Sequence, residues 1–142
     1  LASGEEDRDP LVVHGEERRF FIALGSGRYR DLPADDQLPR AADDIAEMAR
    51  LFEVFGYQTA LAGLGQYDSA DQIKQKLSHW SRDIALSQDD VVALYFAGHG
   101  ATVGRDRHYL FCWDSQEEDL AATALATEDL GLFEVSRDRV AV

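Results

Sequence analysis

Cys112 is the chain's one cysteine. A lone thiol closes no internal disulfide, so no cross-linked framework is available, and the usage fits a reducing, cytoplasmic compartment. Basic residues are also scarce: 14 Lys and Arg face 27 Asp and Glu, for a net charge of −13. Phosphate backbones and anionic bilayers would be repelled, which excludes a general nucleic-acid or membrane-surface binder. No apolar run approaches the roughly 18 residues that a membrane span needs. The opening LASGEEDRDP has neither a signal-peptide core nor an initiator Met, and an excised or processed piece is expected. No Cys/His spacing suits zinc, and no EF-hand loop surrounds the acidic pairs Asp35-Asp36 and Asp43-Asp44.

What is present is enough for one domain. The hydrophobic fraction is 45% over 142 residues, sufficient for a core. Residues 1–18 read as a flexible acidic tail or linker, with Leu11, Val12 and Val13 as its apolar cluster. Residues 19–142 read as the folded part. Phe20 to Leu24 suits a short strand, broken by Gly25-Ser26-Gly27. The spacing of Ile45, Met48, Phe52 and Phe55 predicts a helix from about Ala41 to Phe55, with Gly56 placed to end it.

Tyr57 to Leu61 reads as a second strand. Ser69 and Gln72 have capping-box spacing ahead of a helix whose Ile73, Leu77, Trp80 and Ile84 share a face. Val91 to Phe96 suits a strand buried on both sides. Tyr109 to Trp113 reads as a further strand or hairpin arm, Leu120 to Phe133 as a helix, and Arg139 to Val142 as the opening of a last strand. Strands alternating with helices specify an α/β fold. The expectation is a mostly parallel sheet with helices on both faces, incomplete at its C-terminal end.

The segment VVALYFAGHG carries the chemistry. A histidine at the carboxyl end of a buried strand sits where open α/β sheets hold ligands. Its imidazole exchanges protons near neutral pH, and Gly98 and Gly100 leave the backbone bare on either side. The Gly100 amide could donate to a developing oxyanion. His14 falls in the tail, His79 off the apolar stripe of its helix, and His108 beside the hairpin; all three read as ordinary polar positions. Cys112, in an apolar run, reads as an inert core thiol.

Taken in order, RFFIALG, LPRAADDIAEMARLFEVFGYQT and VVALYFAGHG resemble the caspase-like cysteine peptidases, closest to the bacterial caspase-like and metacaspase branch. The resemblance spans about Arg19 to Val142. It implies peptide-bond hydrolysis by a Cys–His dyad, with His99 as the base and Gly100 as the oxyanion amide. It places Asp44 at an acidic pocket position that accepts Arg or Lys at P1, although an acid in a first helical turn also suits the helix dipole. Arg40 falls near the pocket arginine of caspases that cleave after Asp. Ala97 falls where some metacaspases carry a pocket serine, so that polar contact is lost. Asp114 matches a frequent family Asp, or is a turn or N-cap residue ahead of Ser115 and the next helix.

No cofactor is expected. Calcium, which some metacaspases bind, is the one metal the resemblance allows; solvated carboxylates are the alternative. The departure is the nucleophile. Family spacing puts it about 50 residues after the histidine, near position 149 and past Val142. The expected partners are therefore a protein or peptide substrate and the remainder of the same protease carrying that cysteine, and this piece alone is expected to be inactive. Two other readings stay open: a catalytically inactive caspase-like interaction module, and a flavodoxin-like ligand-binding domain. The second lacks both the later glycine of a dinucleotide fingerprint and a P-loop.

Overall fold

A computed structural model describes residues 17–131 and 140–141. Strand β1 (Arg19–Leu24) leads to helix α1 (Ala41–Val54) and strand β2 (Gln58–Thr59). Helix α2 (Ala70–Asp83) then leads to β3 (Val91–Phe96). There follow β4 (Gly100–Val103), β5 (Arg107–Leu110), the one-turn α3 (Leu120–Thr123), β6 (Leu125–Ala126) and β7 (Val140–Ala141). The main sheet has the order β2-β1-β3-β7, and each neighbouring pair is parallel. β4, β5 and β6 form a separate antiparallel sheet. The α/β fold with a parallel sheet is as expected; the second sheet is an addition to it.

Side chains of a strand alternate between its two faces, and both faces here are covered. Phe21, Ala23 and Ala93 point to one side and pack with Ile45, Met48 and Phe52 of α1. Phe20, Ile22, Leu24, Val92 and Leu94 point to the other and pack with Ile73, Leu77, Trp80 and Ile84 of α2 or just past it. Phe21 stacks on Phe52 with ring centroids 4.4 Å apart, and Phe20 meets Trp80 edge-on at 5.1 Å. This double cover explains why Phe20 to Leu24 and Val91 to Phe96 are uninterrupted apolar runs. β1 and β3 pair from Arg19↔Val91 to Leu24↔Phe96, so they end level. The loops after them therefore start from one rim.

Local signals hold where tertiary demands agree. The capping box forms as spaced: the Gln72 amide donates to Ser69 Oγ at 3.2 Å, and the Ser69 amide to Gln72 Oε1 at 2.9 Å. Three expectations are corrected. Phe55 is not part of the buried stripe; α1 stops at Val54, and Phe55 caps it, 62% exposed. The second strand is only Gln58–Thr59, because Leu61 adopts a left-handed φ of 52° and turns the chain away. The helix expected over Leu120 to Phe133 is one turn, then β6, then a 3-10 turn over Thr127–Gly131; residues 132–133 lie outside the described residues. Pairing of Leu125 with Leu110 buries Leu125 to 1% exposure, and that burial overrides the helix propensity of the alanine-rich run.

Residues 1–16 of the expected tail lie outside the described residues. Arg18 already belongs to the folded body. Its carbonyl accepts from the Val91 amide at 2.9 Å, and its guanidinium donates to Asp90 at 3.0 and 2.7 Å. Asp90 also accepts from the Ser87 amide at 2.9 Å. Burial alone would raise the Asp90 pKa, but the hydrogen bonds from Arg18 and Ser87 outweigh it and hold the carboxyl below the ordinary aspartate value. A depressed folded pKa stabilises above the unfolded value, and the stabilisation is lost as pH falls through the folded one. Asp90→Asn should cost about 2 kcal/mol at pH 7, a figure kept low because Arg18 is half exposed. In urea titrations the gap from the parent chain should close below about pH 4.

Among the described residues, no helix is long and apolar enough to cross a membrane.

Candidate active site

The rim where β1 and β3 end is held by backbone contact. The Ala97 amide donates to the Leu24 carbonyl at 3.1 Å. Gly25 sits against the Ala97 carbonyl so closely that a Cβ there would overlap it, and its φ is +149°. Gly98 is needed for a similar reason: a Cβ would fall 2.6 Å from the Tyr29 hydroxyl. Two glycines thus let the chain approach closely on each side of Ala97. They also let the loop after β1 fold over the end of β3.

His99 is half-buried at this rim and held on three sides. Its amide donates to Tyr29 Oη at 2.9 Å. Its carbonyl accepts from the Phe111 amide at 2.9 Å. Its ring lies 5.1 Å from the Tyr29 ring and 6.0 Å from that of Phe111, centroid to centroid. Its Nε2 is 2.6 Å from the Asp36 main-chain carbonyl. A carbonyl oxygen only accepts, so Nε2 carries the hydrogen, and Nδ1 keeps the lone pair of the neutral imidazole. Burial pushes the Tyr29 phenol above its ordinary pKa, with the His99 hydrogen bond acting the other way, so the phenol remains neutral around pH 7.

Gly100 starts β4 and stands opposite Leu110. The His99–Phe111 bond makes the neighbouring pair a hydrogen-bonded one. Antiparallel ladders alternate, so Gly100 falls in a non-bonded pair and its N–H turns away from β5. His99, Gly100 and Ala97 therefore share one strand end. Arg40 and Asp44 lie at the start of α1, both exposed, with Arg40 at the N-cap position and Asp44 in the first turn. A crevice of about 480 Å³ opens at the end of β1, lined by Gly25, Ser26, Arg28, Pro39, Ala42 and Tyr67 among others. Arg40 and Asp44 are outside that lining.

Tyr29 and the Asp36 carbonyl are the site groups that the sequence reading passes over. A main-chain acceptor has no side-chain signature, and Asp36 reads only as half of an acidic pair. Tyr29 offered one sign: it is an aromatic alone in a polar loop, and it is 3% exposed. Asp114 is a turn residue, in the turn closed by the Ser115 amide on the Cys112 carbonyl at 3.1 Å, and not an N-cap; the 3-10 turn over Glu117–Asp119 begins after Gln116. Asp114 Oδ1 is buried without a hydrogen-bond partner among the described residues. His79 and His108 are exposed, and His14 lies outside the described residues. Among the described residues no three His, Cys, Asp or Glu side chains converge as metal ligands.

Cys112 is a core residue, 3% exposed and packed with the α2-side cluster. Burial, then the Asp114 charge, pushes its thiol up to about 12. Thiolate is the reactive form, so it is nearly absent at neutral pH. Iodoacetamide at pH 8 should alkylate native Cys112 about a hundredfold or more slowly than the urea-unfolded chain, the lower thiolate fraction being partly offset by higher intrinsic nucleophilicity. Equal rates would refute the buried assignment.

Comparison with known families matches the caspase domain of peptidase family C14 to residues 18–130. The match covers well over half of the chain, and the chain belongs to the caspase-domain family, whose coarse chemistry is cysteine-peptidase hydrolysis of proteins. No curated protein gave a match.

Proposed function

We propose that this chain supplies the histidine half of a Cys–His endopeptidase. His99 is the base that raises the thiolate fraction of the nucleophile, and the Gly100 amide holds the tetrahedral oxyanion. The observation that carries the reading is the His99 ring itself. With Nε2 committed to the Asp36 carbonyl, Nδ1 is the nitrogen left to take a proton from sulfur. Cys112 does not qualify as that sulfur, because its thiol is buried and held neutral.

The nucleophile is proposed to lie past Val142, on the continuation of β7. Val140 stands opposite Val92, and His99 lies seven residues beyond Val92. In unbroken register that matches position 147, close to the spacing of about 50 residues expected between the histidine and cysteine. Asp44 would favour an Arg or Lys at P1 and Arg40 an Asp, with Ala97 contributing backbone rather than a polar side chain. The remainder of the protease is thus the first partner and a peptide the second, in a cytoplasmic setting.

The test is a cleavage assay on the protein carrying its continuation, using peptides with Arg, Lys or Asp at P1. Cleavage that depends on His99 supports the proposal. Intact peptides in all three sets, from folded protein, would favour the second reading: an inactive caspase-like interaction module. The chain's one cysteine being buried is the observation that favours that alternative.

A further inference from the structure

We infer that Gln37 is a positioning residue for His99, acting as a clasp that fixes which ring nitrogen is free. The inference takes its catalytic meaning from the reading of His99 as the base, but its geometry stands apart from that reading. Two groups of the loop between β1 and α1 hold His99: Tyr29 Oη on its amide and the Asp36 carbonyl on its ring. They are seven positions apart in a stretch with little regular structure. Something must hold them in fixed relation.

The Gln37 side chain does this. Its Oε1 accepts from the Tyr29 amide at 2.7 Å. Its Nε2 donates to the Tyr29 carbonyl at 2.9 Å and the Leu32 carbonyl at 3.1 Å, with the Pro33 carbonyl at 3.4 Å. One primary amide thus pairs both ways with the Tyr29 backbone and closes the loop on itself. The acceptor and the clasp are also covalently linked: the Asp36 C=O and the Gln37 N–H belong to one planar peptide. That N–H donates to the Ala34 carbonyl at 3.3 Å. The plane bearing the His99 acceptor is therefore set from both ends of Gln37, by its backbone on Ala34 and by its side chain on Tyr29 and Leu32. Only an amide supplies an acceptor and two donors on one flat group of this size.

The consequence is a tautomer. With the Asp36 carbonyl aimed at Nε2, the Nε2–H form is favoured; with the carbonyl free to turn, the ring samples both forms. The experiment is ¹⁵N NMR of the histidine ring in this chain, comparing the parent with Gln37→Met, which keeps the length and the backbone bond to Ala34 but loses every side-chain hydrogen bond. We expect a dominant Nε2–H tautomer for parent His99. In Gln37→Met, the ratio of Nε2–H to Nδ1–H forms should fall at least fivefold, while amide protection in β1 and β3 persists. An unchanged ratio in folded Gln37→Met, or a parent ring already averaged between forms, overturns the inference. If Gln37→Met does not fold, Gln37→Glu carries the test. It keeps the acceptor toward Tyr29 but removes the donors to the carbonyls, so the same fall is expected and an unchanged ratio is again fatal. No nucleophile is needed for this readout, so a failed peptidase reading and a failed clasp give different results.

Discussion

His99→Ala should lower kcat/KM for peptide cleavage by about a thousandfold in the protein that carries its continuation. The magnitude comes from two losses. Without the imidazole, the nucleophilic thiol reverts toward an ordinary pKa and its thiolate fraction near pH 7 drops. The departing amine also loses its proton donor. The Gly100 amide remains, so the residual rate should stay above that of water alone. The fold should survive, because His99 is only half-buried and its amide and carbonyl bonds to Tyr29 and Phe111 are made by backbone atoms. A melt close to that of the parent, together with the rate loss, identifies a chemical role. Activity within tenfold of the parent would remove His99 from the mechanism.

Gly25→Ala should be the most damaging single-methyl change in the described residues. The added carbon would have to occupy the place of the Ala97 carbonyl, and the φ of +149° is unfavourable for any L side chain. Neither side can yield cheaply: the Ala97 amide is tied to Leu24, and the two residues directly follow β1 and β3, the buried centre of the sheet. The expected cost is about 3 kcal/mol or more, on the order of a 10 °C fall in Tm for a domain of this size. Gly104→Ala is the control. It has a positive φ of +68° but nothing within 4 Å, so it should cost only about 1 kcal/mol. If both variants melt alike, the collision at Ala97 is not the governing effect. Because Gly25 also sets how the loop after β1 crosses the end of β3, any folded fraction of Gly25→Ala should show a disturbed His99 ring.

The two variants also mark what the sequence made legible. The central sheet was readable because Phe20 to Leu24 and Val91 to Phe96 are apolar at every position. Burial on both faces leaves that pattern and little else does. The α2 start was readable because a capping box is local chemistry. His99 and Gly100 stood out because a charged-capable ring between glycines interrupts an apolar run.

The misreadings share a different cause. Leu120 to Phe133 contains good helix formers, yet Leu125 is drawn into pairing with Leu110, a contact fifteen residues away in the chain. Phe55 fits the α1 period, but the helix ends one residue before it. The groups around the His99 ring were hidden for a third reason. The Asp36 acceptor is a backbone atom, and Gln37 works through carbonyls of its own loop, so neither leaves a spacing that can be read in one dimension.

The brevity of β2 has a consequence for assembly. It contributes two residues to the sheet border, both exposed, before Leu61 swings the backbone out of line. A border so short offers almost no ladder for a foreign strand to extend, which is how natural sheets discourage end-to-end aggregation. Growth of this sheet past β2 is therefore disfavoured: a strand arriving there would find two residues to pair with before the chain departs.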